Sequence, residues 1–212
     1  MLKPIGLLGG TFDPVHYGHL RMAMEVRQEL DLAEVRLIPL HTAPHRNNPI
    51  ASPEQRVVML RLALEKVSGL LIDRCELQRG GISYSVDTVK ACRQELGGRP
   101  LCLIMGMDAF QSLNSWHEWA LLLNYVHVIV VDRPGNKTDF THREIAQLFT
   151  KHSTEDPSVI RRTPAGRIHK LNIPMLDISA TRIRRLLAVN RDVRYLLPDN
   201  VIEYIQQQGL YQ

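Results

Sequence analysis

Gly9-Gly10-Thr11-Phe12-Asp13-Pro14-Val15-His16-Tyr17-Gly18-His19 is the stretch that decides how this chain folds. It follows a short apolar run, Ile5-Gly6-Leu7-Leu8, and opens a stretch with helical spacing through Leu20, Ala23, Met24, Val26 and Leu30. A glycine turn between a first strand and a helix N-terminus is an anion site, because free backbone N–H groups and the positive end of the helix meet there. Gly9 and Gly10 let the backbone turn sharply and come close to a ligand. His16 and His19, three residues apart, fall on one side of a helical turn. Gly18 removes a side chain between these imidazoles and the helix start. Imidazoles aimed at a phosphate cradle predict chemistry on a nucleotide as well as its binding. The stretch is neither a G-x-G-x-x-G fingerprint nor a P-loop ending in G-K-[ST].

Working outward, strand and helix patterns alternate. A first strand is predicted over 2–8 and a helix over about 18–30. A second strand spans Val35-Arg36-Leu37-Ile38, closed by Pro39. Ser52, Pro53 and Gln55 form a helix start with a capping box. A third strand is read over 70–77, followed by a helix capped by Ser85 and stopped at Gly97. Leu101-Cys102-Leu103-Ile104-Met105 and Val126-His127-Val128-Ile129-Val130-Val131 are strands apolar enough to be covered on both faces. A short helix is read over 116–123 and another over 141–151. Pro174 to Ile178 is a strand candidate, and two helices close the chain near 180–190 and 199–208.

These units predict an α/β fold, a Rossmann-like doubly wound parallel sheet with a small C-terminal helical part. Residues 1–178 form the core, and 179–212 are helices completing the same catalytic unit. Ligands of such folds sit at the carboxyl ends of the strands. The loops there carry His16, His19, His45, Arg46, Gly106, Asp108 and Arg133, all facing one crevice.

Composition sets the class. The chain has 212 residues, 44% hydrophobic and 23% charged, which suits one globular unit with a sizeable core. Its formal charge is +4 with no long basic block, a bias matched to phosphate-bearing small molecules; nucleic acid is not an expected partner. Cys75, Cys92 and Cys102 form no C-x-x-C, so zinc and redox motifs are not expected. No signal peptide and no membrane span is read, and a cytoplasmic location is expected.

The first loop resembles the H-x-G-H signature of the nucleotidylyltransferase superfamily. Ile178-Ser179-Ala180-Thr181-Arg182-Ile183-Arg184 resembles its second signature, I-S-S-T-x-I-R, more than 150 residues later and in the expected order. Pro44-His45-Arg46, Ser83-Tyr84-Ser85-Val86-Asp87-Thr88, Gly106-Met107-Asp108, Trp116 and the C-terminal Tyr204-Ile205 through Leu210-Tyr211 are similar to the bacterial nicotinate-nucleotide adenylyltransferases. Ala180 stands where the family commonly has serine, and Arg46 where it often has lysine. Arginine keeps the charge with a different, forked geometry.

The resemblance implies transfer of the adenylyl group of ATP to nicotinate mononucleotide, releasing pyrophosphate, a step of NAD biosynthesis. It implies catalysis by His16, His19 and Arg184. ATP is expected at Gly9, Gly10, Thr11, Phe12, Gly18, His19, Gly106, Asp108, Ser179, Thr181 and Arg184. The mononucleotide is expected at His45, Arg46, Tyr84, Ser85, Trp116, His117 and Arg133. No carboxylate set has metal-ligand spacing, so Mg2+ is expected to enter with ATP, held by phosphates and water. The alternatives are a pantetheine-phosphate type of adenylyltransferase and a non-catalytic nucleotide sensor on the same fold. Oligomeric state, monomer or dimer, is left open.

Overall fold

The computed structural model describes residues 2–43, 49–133, 139–174 and 176–212. Chain order begins β1 (Ile5–Gly10), α1 (Tyr17–Glu29), β2 (Glu34–Pro39), α2 (Pro53–Leu64), β3 (Leu70–Ile72), α3 (Cys75–Arg79), α4 (Ser85–Leu96) and β4 (Leu101–Gly106). It continues with α5 (Met107–Gln111), α6 (Leu122–Tyr125), β5 (His127–Asp132), α7 (Arg143–His152), α8 (Ser158–Arg162), β6 (Ile168–Asn172), α9 (Ala180–Ala188) and α10 (Asp199–Gln207). Two short 3-10 turns, Leu113–Ser115 and Trp119–Leu121, precede α6.

The six strands form one parallel sheet in the order β3-β2-β1-β4-β5-β6. The order reverses between β1 and β4, so the crevice of this doubly wound sheet opens beyond Gly10 and Gly106. The continuous apolar runs explain the layering. In β4, Leu101, Leu103 and Met105 join one buried cluster with Val86, Val89 and Phe110; Cys102 and Ile104 join the other with Leu8, Phe12 and Val35. The period of two thus places one apolar run in both cores. The second cluster also takes in Ile183, Val201, Ile205 and Tyr211, so the C-terminal helices pack into the same core as the first loop.

The structure corrects several expected boundaries. β1 runs through Gly10 rather than stopping at Leu8, so the glycine pair ends the strand. The third strand stops at Ile72, and residues 75–79 are helical. Tyr84, not Ser85, occupies the cap position of α4, without a side-chain cap bond. The expected helix over 116–123 is instead the second 3-10 turn leading into α6, and Trp116 ends the first 3-10 turn. The last strand is 168–172, paired with β5, and the Pro174–Ile178 candidate is not a strand among the described residues. The Ser52 cap is as expected: Ser52 Oγ accepts from the Gln55 N–H, and the Gln55 side chain accepts from the Ser52 N–H. No described helix is long and apolar enough to cross a membrane.

Candidate active site

The first loop is built tightly. His16 is the N-cap of α1, so the two histidines are the cap and the third residue of the helix, and their rings stack with centroids 3.7 Å apart. The main-chain N–H of His16 donates to Nδ1 of His19 at 3.3 Å. That bond leaves the proton of a neutral His19 on Nε2. Phe12, itself buried, meets the His19 ring edge-on at 5.0 Å. The Phe12 side chain is therefore a support for His19. Gly18 sits in a tight place: a β-carbon would lie 3.0 Å from the His16 ring and 3.3 Å from the carbonyl oxygen of Ile178. One glycine thus brings the two signature segments together. A β-carbon at Gly9 or Gly106 would touch nothing within 4 Å, so internal packing requires neither glycine.

Burial lowers His16 to about 4. Burial, then the neighbouring His16, lowers His19 well below its ordinary value. Both rings are neutral near pH 7, so each carries an N–H and no net charge. A stability consequence follows for His16. The unfolded imidazole takes up a proton near pH 6.5 and the folded one only near 4. The stability it contributes is complete above about 6.5 and is lost as pH falls towards 4. Denaturant unfolding at pH 7 and pH 5 should show a smaller acid loss in His16→Gln than in the parent. Equal losses would show that His16 does not carry this dependence.

Arg184 supplies positive charge beside these neutral rings. Its Nη1 donates to the main-chain carbonyl of Asp13 at 2.7 Å, and its Nη2 lies 3.4 Å from Thr181 Oγ1. Ser179 caps α9 by accepting from the Arg182 N–H at 3.2 Å. The start of α9 therefore faces the first loop, with Thr181 and Arg184 one turn apart.

Across the switch point, the Tyr84 and His117 rings meet at a tilt of 35° with centroids 4.3 Å apart, and Tyr84 and Trp116 pack on the same buried cluster. Ser85 opens α4 and lines a small cavity with Gly9, Glu76 and Thr88. Asp108 is exposed in the first turn of α5; Gly106, not Asp108, occupies the cap position, which leaves the carboxylate available at the crevice. Arg133 is exposed and pairs with Asp177 at 2.9 Å, joining the end of β5 to the segment before α9. His45 and Arg46 lie outside the described residues.

Several structural partners escaped the sequence reading. Arg56 is fully buried and donates to the carbonyls of Thr11 and Leu40, each at 2.8 Å, fastening the loop after β1 to the loop after β2. Its signal was present: Arg56, Leu60 and Leu64 share one helix face, so an arginine lies on an apolar stripe. Asp13 accepts from the N–H groups of Ile50 and Ala51 and from the hydroxyl of Tyr211. Thr88 is buried and donates to Glu76 at 2.6 Å. Burial raises the Glu76 carboxyl. No group of three or more His, Cys, Asp or Glu among the described residues is placed to hold a metal ion.

The cytidylyltransferase-like family model matches residues 7–186, which include both signature segments. The chain belongs to that family. Its relatives include the probable nicotinate-nucleotide adenylyltransferases of Aeromonas salmonicida, 51% identical over 100% of this chain and 99% of theirs, and of Methylococcus capsulatus, 45% identical over 98% and 99%. Among solved structures, a Plasmodium falciparum nicotinic acid mononucleotide adenylyltransferase complexed with NaAD superposes with a TM-score of 0.76 at 18% identity, covering 99% of this chain and 97% of that one. At that identity the likeness speaks for the fold, and it extends the family's architecture over the C-terminal helices.

Proposed function

We propose that this family member transfers the adenylyl group of ATP to nicotinate mononucleotide, yielding nicotinate adenine dinucleotide and pyrophosphate. The single observation that carries the reading is the joining of the two signature segments at Gly18, with a neutral His16–His19 pair on one side and Arg184 on the other. The near-full-length relatives named for this activity support it.

The chemistry follows from the donors. A phosphate monoester is already nucleophilic, so the α-phosphorus of ATP can be attacked directly, with pyrophosphate leaving and no covalent intermediate. Two polyanions must be aligned and their repulsion offset. His19 presents Nε2–H to the α-phosphate, and His16 keeps that ring oriented by stacking and by its main-chain bond. Arg184 and the amides that open α9 take the β- and γ-phosphates. Mg2+ would enter as part of the ATP substrate, on phosphate oxygens and water; no group of three or more His, Cys, Asp or Glu among the described residues is placed to hold it.

On the mononucleotide side, Trp116 and the Tyr84–His117 pair offer ring faces to the pyridine. The amides at the start of α4 suit its carboxylate. Arg133, together with His45 and Arg46, is assigned to the mononucleotide phosphate, and Asp108 to a ribose hydroxyl. Pyrophosphate release should appear with nicotinate mononucleotide and ATP and be absent with pantetheine phosphate. Release with pantetheine phosphate alone would move the protein to that branch. Nucleotide binding without release would make it a sensor.

A further inference from the structure

Tyr211, the penultimate residue, reaches the first loop across 198 positions: its hydroxyl donates to Asp13 Oδ1 at 2.6 Å. Both residues are buried, 5% and 3% exposed. The same carboxylate accepts the N–H groups of Ile50 at 2.9 Å and Ala51 at 3.1 Å, so three donors hold it. The main-chain carbonyl of Asp13 accepts from Arg184 Nη1 at 2.7 Å. Asp13 is therefore where the C-terminus, the segment before α2, the phosphate turn and α9 meet. Any rotation of residue 13 moves the carbonyl on which the Arg184 guanidinium rests.

We propose that Tyr211, acting through Asp13, is a positioning residue for the nucleotide triphosphate. Its hydroxyl fixes the Asp13 peptide, and the peptide fixes the direction of Arg184 and the approach to His16. The inference rests on the reading of this site as an adenylyl-transfer centre. Burial, then the bond to Asp13, holds the phenol well above its ordinary value, so it stays a donor throughout the working pH range.

Tyr211→Phe removes the hydroxyl and keeps the ring in the core. We expect kcat to fall about tenfold and KM for ATP to rise several-fold, with KM for the mononucleotide within about twofold of the parent. Calorimetric affinity for a non-transferable ATP analogue should fall about fivefold. Tyr204→Phe, on α10, leaves the Tyr211–Asp13 bond in place and should match the parent in each measurement. A structural role alone would lower the unfolding midpoint and leave these constants unchanged. Kinetic constants and analogue affinity within about twofold of the parent, or equal KM changes for both substrates at unchanged kcat, would overturn the proposal. Were the parent inactive with every mononucleotide, the adenylyl-transfer reading would fail. The analogue affinity of Tyr211→Phe would still decide the positioning role: a fivefold loss supports it, parental affinity or no binding by the parent overturns it.

Discussion

Replacing His19 by alanine is expected to lower kcat at least about a hundredfold, the scale on which losing one preorganised transition-state donor is felt. The physical ground is the bond from the His16 N–H to Nδ1 of His19, which leaves Nε2 as the donor, and the packing of Phe12 and His16 around the ring. The ring is neutral, so its contribution comes from direction rather than net charge. It should be greatest where charge develops, on the α-phosphate oxygens. His16→Ala should be milder, because it removes the support and leaves the donor. Steady-state kinetics on variants shown to be folded checks this. Turnover near that of the parent in His19→Ala would reduce the stacked pair to a structural feature of the helix start.

The second large effect concerns the acid and amide forms of the mononucleotide. The start of α4 offers backbone N–H groups, and donors of this kind suit the two oxygens of a carboxylate. The NH2 of an amide would be a donor facing donors, and each buried mismatch costs about 1–3 kcal/mol. Two such mismatches correspond to a preference for nicotinate of at least about a hundredfold in kcat/KM. Glu76 lines the same small cavity as Ser85, but it is buried at 6% exposed and its Oε1 is taken by the Thr88 hydroxyl. Glu118, another acid close in sequence to the ring platform, is held by Lys90 at 2.9 Å, and Asp87 lies in the first turn of α4. Each of the two glutamates is already engaged by a partner of its own. Comparable kcat/KM for the two mononucleotides would defeat this account of recognition while leaving the transfer chemistry in place.

What could be read from the sequence followed from the locality of each signal. β1, β2, β4 and β5 are legible because central parallel strands must be apolar on both faces. β6 was not: Ile168-His169-Lys170-Leu171-Asn172 lies at the sheet edge, mixes polar and apolar residues, and lost to the more apolar Pro174–Ile178. The five residues of α3 and of α8 are too few to display a helical period. At the site, residues within a contiguous motif could be listed from their spacing. The contacts that shape it could not, because Tyr211 to Asp13 and Arg56 to Thr11 join distant segments and carry no local pattern. The neutrality of the two histidines also depends on burial, which only the folded arrangement supplies.

The most direct test follows the label of ATP carrying radioactive phosphorus at the α position, incubated with the protein and nicotinate mononucleotide. The expected result is label in the dinucleotide, one pyrophosphate released per labelled product, and none on the protein. Label recovered in free AMP, on the protein, or unmoved from ATP would contradict direct adenylyl transfer to the mononucleotide.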